Sequence, residues 1–294
     1  MRGDVQDRAL TFRPGRLALA AALLIATTAP ALAERDKYSG APLPPQKKRL
    51  VPSPITDRFY VRGTLLSSHL TTTMRIDSSA GMPGTTVSAE DDLGLRSHVK
   101  QGEMEAMFRL RERNRVRLNY YESDRSATTA LTRPINFGDQ SFLVSDVATS
   151  SLDWRMFALT YSYSVLHRDR FELGAGVGVY LVQGEARGQV PARELSQEVS
   201  GVAAFPTLEL DGTWRISSRF ALTARGQYLS ATVNNFSGSL GDYHADLQYR
   251  WRPNFAIALG YSSLKVSLDV QGGSFPGFLA LSVRGPEAFF RVSY

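Results

Sequence analysis

The chain contains no cysteine. That excludes disulfide staples, thiolate metal centres and a thiol nucleophile. Histidine is scarce, with four residues in 294: His69, His98, His167 and His244. There is no Walker-type loop, no zinc-ligand spacing and no dinucleotide fingerprint, so neither a cofactor nor a metal is expected. No stretch after residue 33 reads as an amphipathic helix. The charge balance is mild, at +6, which argues against nucleic acid as a partner. A mean hydropathy of −0.19 looks soluble in bulk. It does not argue against a membrane barrel, whose strands are only half apolar.

What is present begins with a processing signal. Arg2, Arg8, Arg13 and Arg16 precede a short apolar run from Leu17 to Thr28, and Ala31-Leu32-Ala33 forms a small-x-small cleavage site. Residues 1–33 therefore read as a secretory signal peptide rather than a spanning helix. Their removal leaves +4, because the segment carries four Arg and two Asp. Residues 34–56 are rich in Pro, Lys and Arg and lack apolar period, which predicts a disordered periplasmic lead-in. Its Lys47-Lys48-Arg49 run reads as a solvated segment, with anionic lipid head groups as the other partner available to it.

From residue 57 to 294 the pattern has period two. Phe157, Leu159, Tyr161, Tyr163 and Val165 alternate with Ala158, Thr160, Ser162 and Ser164. After the turn His167-Arg168-Asp169-Arg170, the odd positions Phe171 to Leu181 alternate with Glu172, Gly174, Gly176 and Gly178. Such alternation marks strands with one apolar and one small or polar face. Ten such runs occur, joined alternately by tight polar turns and longer segments. The longer ones are about Ile76–Leu95, Ser126–Ser151, Gly184–Val202, Val233–Asp242 and Gln271–Phe278. A soluble sandwich has no reason for that alternation of connection length, whereas a membrane barrel does. Aromatics gather beside the tight turns at Phe171, Trp214, Phe220, Trp251 and Phe255, as in an interfacial girdle.

The faces opposite the apolar ones carry charge. Arg62, Glu103, Glu105, Arg109, Arg117 and Glu172 fall there, with Glu209, Asp211, Arg225, Asp246, Arg250, Glu287 and Arg291. In a barrel these residues line the lumen, where both signs must pair because lone buried charge is costly. Toward the long connections the same inward parity turns apolar. Trp154, Met156, Tyr180, Val182 and Phe205 form one half of a candidate pocket, with Leu264, Val266, Leu268, Leu281 and Val283 as the other. This reading requires unbroken register. A bulge near Ser262 and another near Gly285 would turn the last two strands' residues outward. Loop residues such as Phe137, Phe142 and Phe236 are the alternative filling of the same mouth.

The final strand resembles the carboxy-terminal strand of bacterial outer-membrane proteins, through Phe290, Val292 and Tyr294. The segment Ala89-Glu90-Asp91-Asp92-Leu93-Gly94-Leu95 is also similar to one seen in that class. The resemblance covers about residues 58–294 at the level of architecture. It implies an all-β, transmembrane, antiparallel up-and-down β-barrel, with ten strands preferred and eight or twelve as alternatives. It also implies a bacterial outer-membrane location, contact with outer-membrane lipid and lipopolysaccharide, and recognition of Phe290, Val292 and Tyr294 by the barrel-assembly machinery.

Function is less determined. The first reading is an envelope-structural or surface-binding role with a blocked, charged lumen. A narrow pore or uptake path for a small solute, apolar ones included, is the second. An outer-leaflet lipid-modifying enzyme or protease is the third. For that third reading His244 and Asp242 are expected at the outer rim, as is His98. Omptin-type proteases use rim acids with a His, but Glu90, Asp91 and Asp92 match no such motif. Lipid A deacylases use a Ser/His pair, but Ser68 and His69 face opposite sides of a strand and form no dyad.

Overall fold

The computed structural model describes residues 52–294, apart from Asn234 and residues 273–275. The signal-like segment and the lead-in as far as residue 51 lie outside the described residues. In chain order the strands are β1 Phe59–Ile76, β2 Val87–Ser88, β3 His98–Arg111, β4 Asn114–Ala130, β5 Ile135–Phe137 and β6 Gln140–Phe142. They continue with β7 Val147–His167, β8 Phe171–Val190, β9 Leu195–Arg215, β10 Phe220–Val233, β11 Phe236–Arg252, β12 Phe255–Val270 and β13 Gly277–Ser293.

Ten of these strands form one antiparallel sheet in the order β1, β3, β4, β7, β8, β9, β10, β11, β12, β13, and β13 pairs back with β1. The ladder from Tyr60–Ser293 to Ile76–Gly277 closes the sheet into a barrel. The strand number is ten, and eight and twelve are set aside. Closure removes both sheet edges, which is what lets strands cross hydrocarbon.

The alternation read in the sequence is the alternation of the wall. On β7, Phe157 to Val165 are 42–61% exposed at odd positions, while Ala158, Thr160, Ser162 and Ser164 are at most 2% exposed. No aqueous core explains an outer face of Phe, Leu, Tyr and Val. Near the tight turns the girdle is continuous: Trp251, Phe255 and Phe290 lie 5.9–6.0 Å apart by ring centroid, and Phe220 meets Tyr249 at 5.1 Å. Register shifts occur at Arg109/Arg111, Ser164/Leu166 and Arg250/Arg252, all beside tight turns. None falls at Ser262 or Gly285, which pair directly with each other.

The far end differs from the expectation drawn from hydropathy. β8 and β9 run on as a hairpin to Val190 and Leu195, and β10 and β11 run on to Val233 and Phe236. Two of the five long connections, about Gly184–Val202 and Val233–Asp242, are thus mostly strand. Their apolar pattern fades because the outer face stands in water there, while backbone pairing continues without it. The segments after β1 and β4 are true excursions. They carry β2 and the β5–β6 hairpin, which fold over the mouth. Val87, Ala89, Leu95, Leu131, Ile135, Phe137 and Phe142 bury together there with Met74, Leu152 and Val190.

At the tight-turn end residues 52–57 form a turn, with the Thr56 and Asp57 amides donating to the Ser53 carbonyl. Ile55 is fully buried beneath the barrel.

Candidate functional site: a charged lumen beneath an apolar vestibule

All thirteen charged residues assigned to the inner face point into the lumen. The lowest tier is organised by Asp57. Its carboxylate accepts from Arg250 at 2.6 and 3.0 Å and from Arg291 at 2.6 Å. The Arg291 guanidinium also lies 3.6 Å from the Tyr60 ring centroid. Beside it Arg109 grips Glu172 in a two-point contact of 2.7 and 3.0 Å. Arg115, on the same face as Arg117 but not among the thirteen, donates to Asp211 at 2.6 Å and faces Glu172 at 3.7 Å. Gly174 leaves the space this pair occupies, because a Cβ at that position would push on the Arg115 guanidinium and the Asp211 carboxylate. Gly174 thus makes room for the Arg115–Asp211 pair, while Gly176 and Gly178 lie close against Tyr161, Ser162 and Thr160 of β7.

The middle tier is built round Glu105. It accepts from Arg225 at 2.6 Å, Tyr60 Oη at 2.5 Å and Asn119 at 2.8 Å, and lies 3.1 Å from Arg62 and 3.8 Å from Arg117. Arg117 donates to Glu209 at 2.7 Å, and Gln227 links Glu209 to Thr160. Glu103 accepts from Asn119 at 2.8 Å, and Asp246 from Thr223 at 2.5 Å. These side chains fill the bore. The cavities left among them are about 60 Å³ around the arginines and about 40 Å³ above Glu103, room for a few waters each.

His244 is not at the rim. It lies in mid-lumen, 8% exposed, with Nε2 3.0 Å from Asp242 and Nδ1 3.2 Å from Glu287. Strand extension beyond the hydropathy pattern raised the true rim and left His244 below it. With a carboxylate at each ring nitrogen, both nitrogens serve as donors and neither is available as a base. Tyr180 Oη donates to Asp242 at 2.7 Å and covers the pair from above. Glu103, His244 and Glu287 also bring ligand-capable atoms within 4.8 Å of one another, each already engaged by a protein partner. His69 and His98 face outward with ring centroids 4.7 Å apart and planes tilted by 52°, while Ser68 points inward. His167 meets Glu172 at 3.1 Å in the turn.

The rim acids are structural. Glu90 bonds Arg125 at 2.6 Å and the Thr72 amide at 2.8 Å, which ties the covering segment to β1 and β4. Asp92 accepts from Arg133 at 2.6 Å, and that guanidinium holds its carboxyl below the ordinary carboxylate range. The folded pKa is lowered, so the contribution is present above about pH 4 and is lost as pH falls through the lowered value. The pair is half exposed and contributes about 0–1 kcal/mol. Asp92→Asn is therefore expected to leave the barrel intact and raise the rate of proteolysis within residues 77–97. An unchanged rate at neutral pH would contradict this.

Above the ionic tiers the ten residues of the apolar set come together. Nine bury in one cluster with Leu70, Tyr121, Ala158 and Leu240, and Leu268 packs against it. The set divides by height. Met156, Tyr180, Leu264 and Val283 roof the small cavity over Glu103. Trp154, Val182, Val266, Leu268 and Leu281 line a larger vestibule of about 420 Å³ open at the loop end. Phe137 and Phe142 cover part of the mouth, and Phe236 stands at the vestibule wall. Both fillings read from the sequence thus occur side by side. Leu152, Ala203 and the paired Gly184 and Gly201 complete the wall. A Cβ on either glycine would meet open space.

No protein-family model matches the chain, and no curated relative does. Solved structures do. The outer membrane protease OmpT from Escherichia coli is similar over 82% of this chain and 98% of that one, with 10% identity and a TM-score of 0.52. The attachment invasion locus protein Ail of Yersinia pestis matches over 80% and 99%, with 9% identity and a TM-score of 0.35. The Pseudomonas putida toluene transporter TodX matches over 83% and 93%, with 8% identity and a TM-score of 0.31. At such identities the likeness concerns fold. The likeness to OmpT, with the apolar outer face and the closed ten-stranded sheet, defines the class: a bacterial outer-membrane β-barrel. The loop end is accordingly the outer end, and the tight turns are periplasmic.

Proposed function

We propose that this barrel is a binding protein for an apolar ligand, which it holds in the outer vestibule over a lumen closed to solutes. The carrying observation is the cavity of about 420 Å³ walled by Trp154, Val182, Val266, Leu268 and Leu281. That volume and lining suit a small hydrophobic molecule or a hydrocarbon chain. Below it, two tiers of hydrogen-bonded ion pairs occupy the bore. The two carboxylates at His244 leave no free base there, which weighs against hydrolytic chemistry.

The test uses N-phenyl-1-naphthylamine with the protein in lipid-free amphipol. The parent is expected to bind the dye saturably. Val266→Asp puts a charge into the apolar wall and is expected to weaken binding at least tenfold without altering heat-modifiable migration. Equal binding by parent and variant would overturn the vestibule reading. Planar bilayers are expected to stay silent, and resolved conductance steps would overturn the closed lumen.

A further inference from the structure

The barrel wall is not paired to the same height all round. β8 and β9 pair over twenty residues, from Phe171–Trp214 up to Val190–Leu195. β10 and β11 pair over fourteen, up to Val233–Phe236. The ladder between β9 and β10 holds only eight pairs and stops at Leu208–Tyr228. Above that point, among the described residues, each strand follows its other neighbour. A lateral seam opens in the outer half of the wall.

A second ladder also stops early, between β3 and β4 at Glu103–Tyr121. That gap is stitched. Gln101 donates to Ser123 at 2.5 Å and accepts from Tyr121, while Arg125 reaches Glu90, Thr72 and the Arg96 carbonyl. At the β9–β10 seam the side-chain bond nearest the gap, among the described residues, is a long one at its foot, Thr207 to Gln227 at 3.5 Å. The seam's contact across the gap is aromatic: Phe205 of β9 meets Phe236 of β11 at 6.2 Å, and a Cβ on Gly238 would lie 2.7 Å from the Phe205 ring.

The β9 side of the seam borders the vestibule. Val202 faces outward at 73% exposure, yet it lines the same cavity as inward-facing Ala203. Its height is fixed by the neighbouring strand. Ala204 pairs with Leu181, the last apolar outward residue of β8, and Val202 pairs with Gln183, the first polar one. The slot beside Val202 therefore lies at the outer boundary of the hydrocarbon, while the unpaired edge below it runs down to Leu208, whose β8 partner Val177 is apolar and outward. An unpaired strand edge is costly in lipid, and Pro206 on that lower stretch has no amide to leave unpaired. At the depth of Val202 lipid ester carbonyls and water are available to the β9 amides.

We infer that the vestibule takes its ligand sideways from the membrane, and that the ligand is one acyl chain of an outer-leaflet lipid, passed through the seam between β9 and β10. The inference rests on the vestibule reading. An apolar cavity joined to the lipid boundary by an apolar slot fits a hydrocarbon chain whose head group stays at the interface.

The chain's three tryptophans supply the test. Trp154 is in the lumen, 4% exposed, whereas Trp214 and Trp251 are outward and 51% and 40% exposed. A W214F/W251F variant retains Trp154 as sole reporter, and W154F retains the two lipid-facing ones. Each is reconstituted in phosphatidylcholine carrying dibrominated acyl chains, a contact quencher. W154F is expected to be quenched strongly, which verifies insertion. Trp154 is expected to lose more than half its emission relative to the unbrominated lipid. Dibromostearate is then added to the Trp154 variant in lipid-free amphipol. Quenching by dibromostearate but not by the phospholipid would overturn the lateral route and leave the vestibule reading standing. Quenching by neither would overturn both.

Discussion

Glu105→Gln is expected to destabilise the barrel by about 3–5 kcal/mol, the range for breaking a buried ion pair from one side. The carboxylate faces Arg62, Arg117 and Arg225 within 3.8 Å, and its side chain is fully enclosed. Glutamine keeps the shape and removes the charge. Three guanidiniums are then left to share Glu209 and Glu103, and their mutual repulsion is no longer offset. The measurement is urea unfolding in lipid vesicles, followed by heat-modifiable migration. A double variant, E105Q with R225M, removes one of the stranded cations and is expected to recover part of the loss. A Glu105→Gln barrel as stable as the parent would show that the ionic tiers do not hold the fold.

Leu159→Arg is expected to cost about 2–4 kcal/mol, the range for a cation on the lipid face near mid-depth. Leu159 pairs with Leu118 and Val179, both apolar and outward, in the middle of the belt. Four ladder steps of the same parity lead from Tyr161 up to Asp153, where the outward face is polar. Asp153→Arg is expected to be neutral or mildly stabilising, because Asp153 lies across the ladder from Asp124 and Glu185. The contrast between the two positions, read in the same vesicles, locates the edge of the hydrocarbon. Equal effects at both would contradict the assigned wall.

The wall was legible because period two is a local property. Each outward set, from Phe157 to Val165 and from Phe171 to Leu181, follows from alternation alone, and the thirteen charged positions opposite follow with it. The apolar set depended on register through Ser262 and Gly285, and those two residues do pair across the ladder. What alternation could not reach was partnership across the bore. Arg115 occupies the same face as Arg117, but its role depends on Asp211, 96 residues later, and on Gly174 between them in space. Gly174, an inward position without a side chain, was the available signal. His244 was misplaced because hydropathy ends where lipid ends, whereas strands continue as long as backbone groups find partners. The seam was illegible for the same reason. Nothing in the composition of residues 195–207 shows on which side they pair.

Asp57 precedes the first strand, yet its two guanidinium partners stand on β11 and on the last strand, 193 and 234 residues away. A half-closed cylinder would hold Arg250 and Arg291 near each other with no counter-ion between them. The joint between the chain's first and last strands thus carries its own latch, an anion that arrives only when the circle is complete. Completion is favoured from the periplasmic rim, and a cylinder stalled ajar has a charge-driven reason to finish shutting.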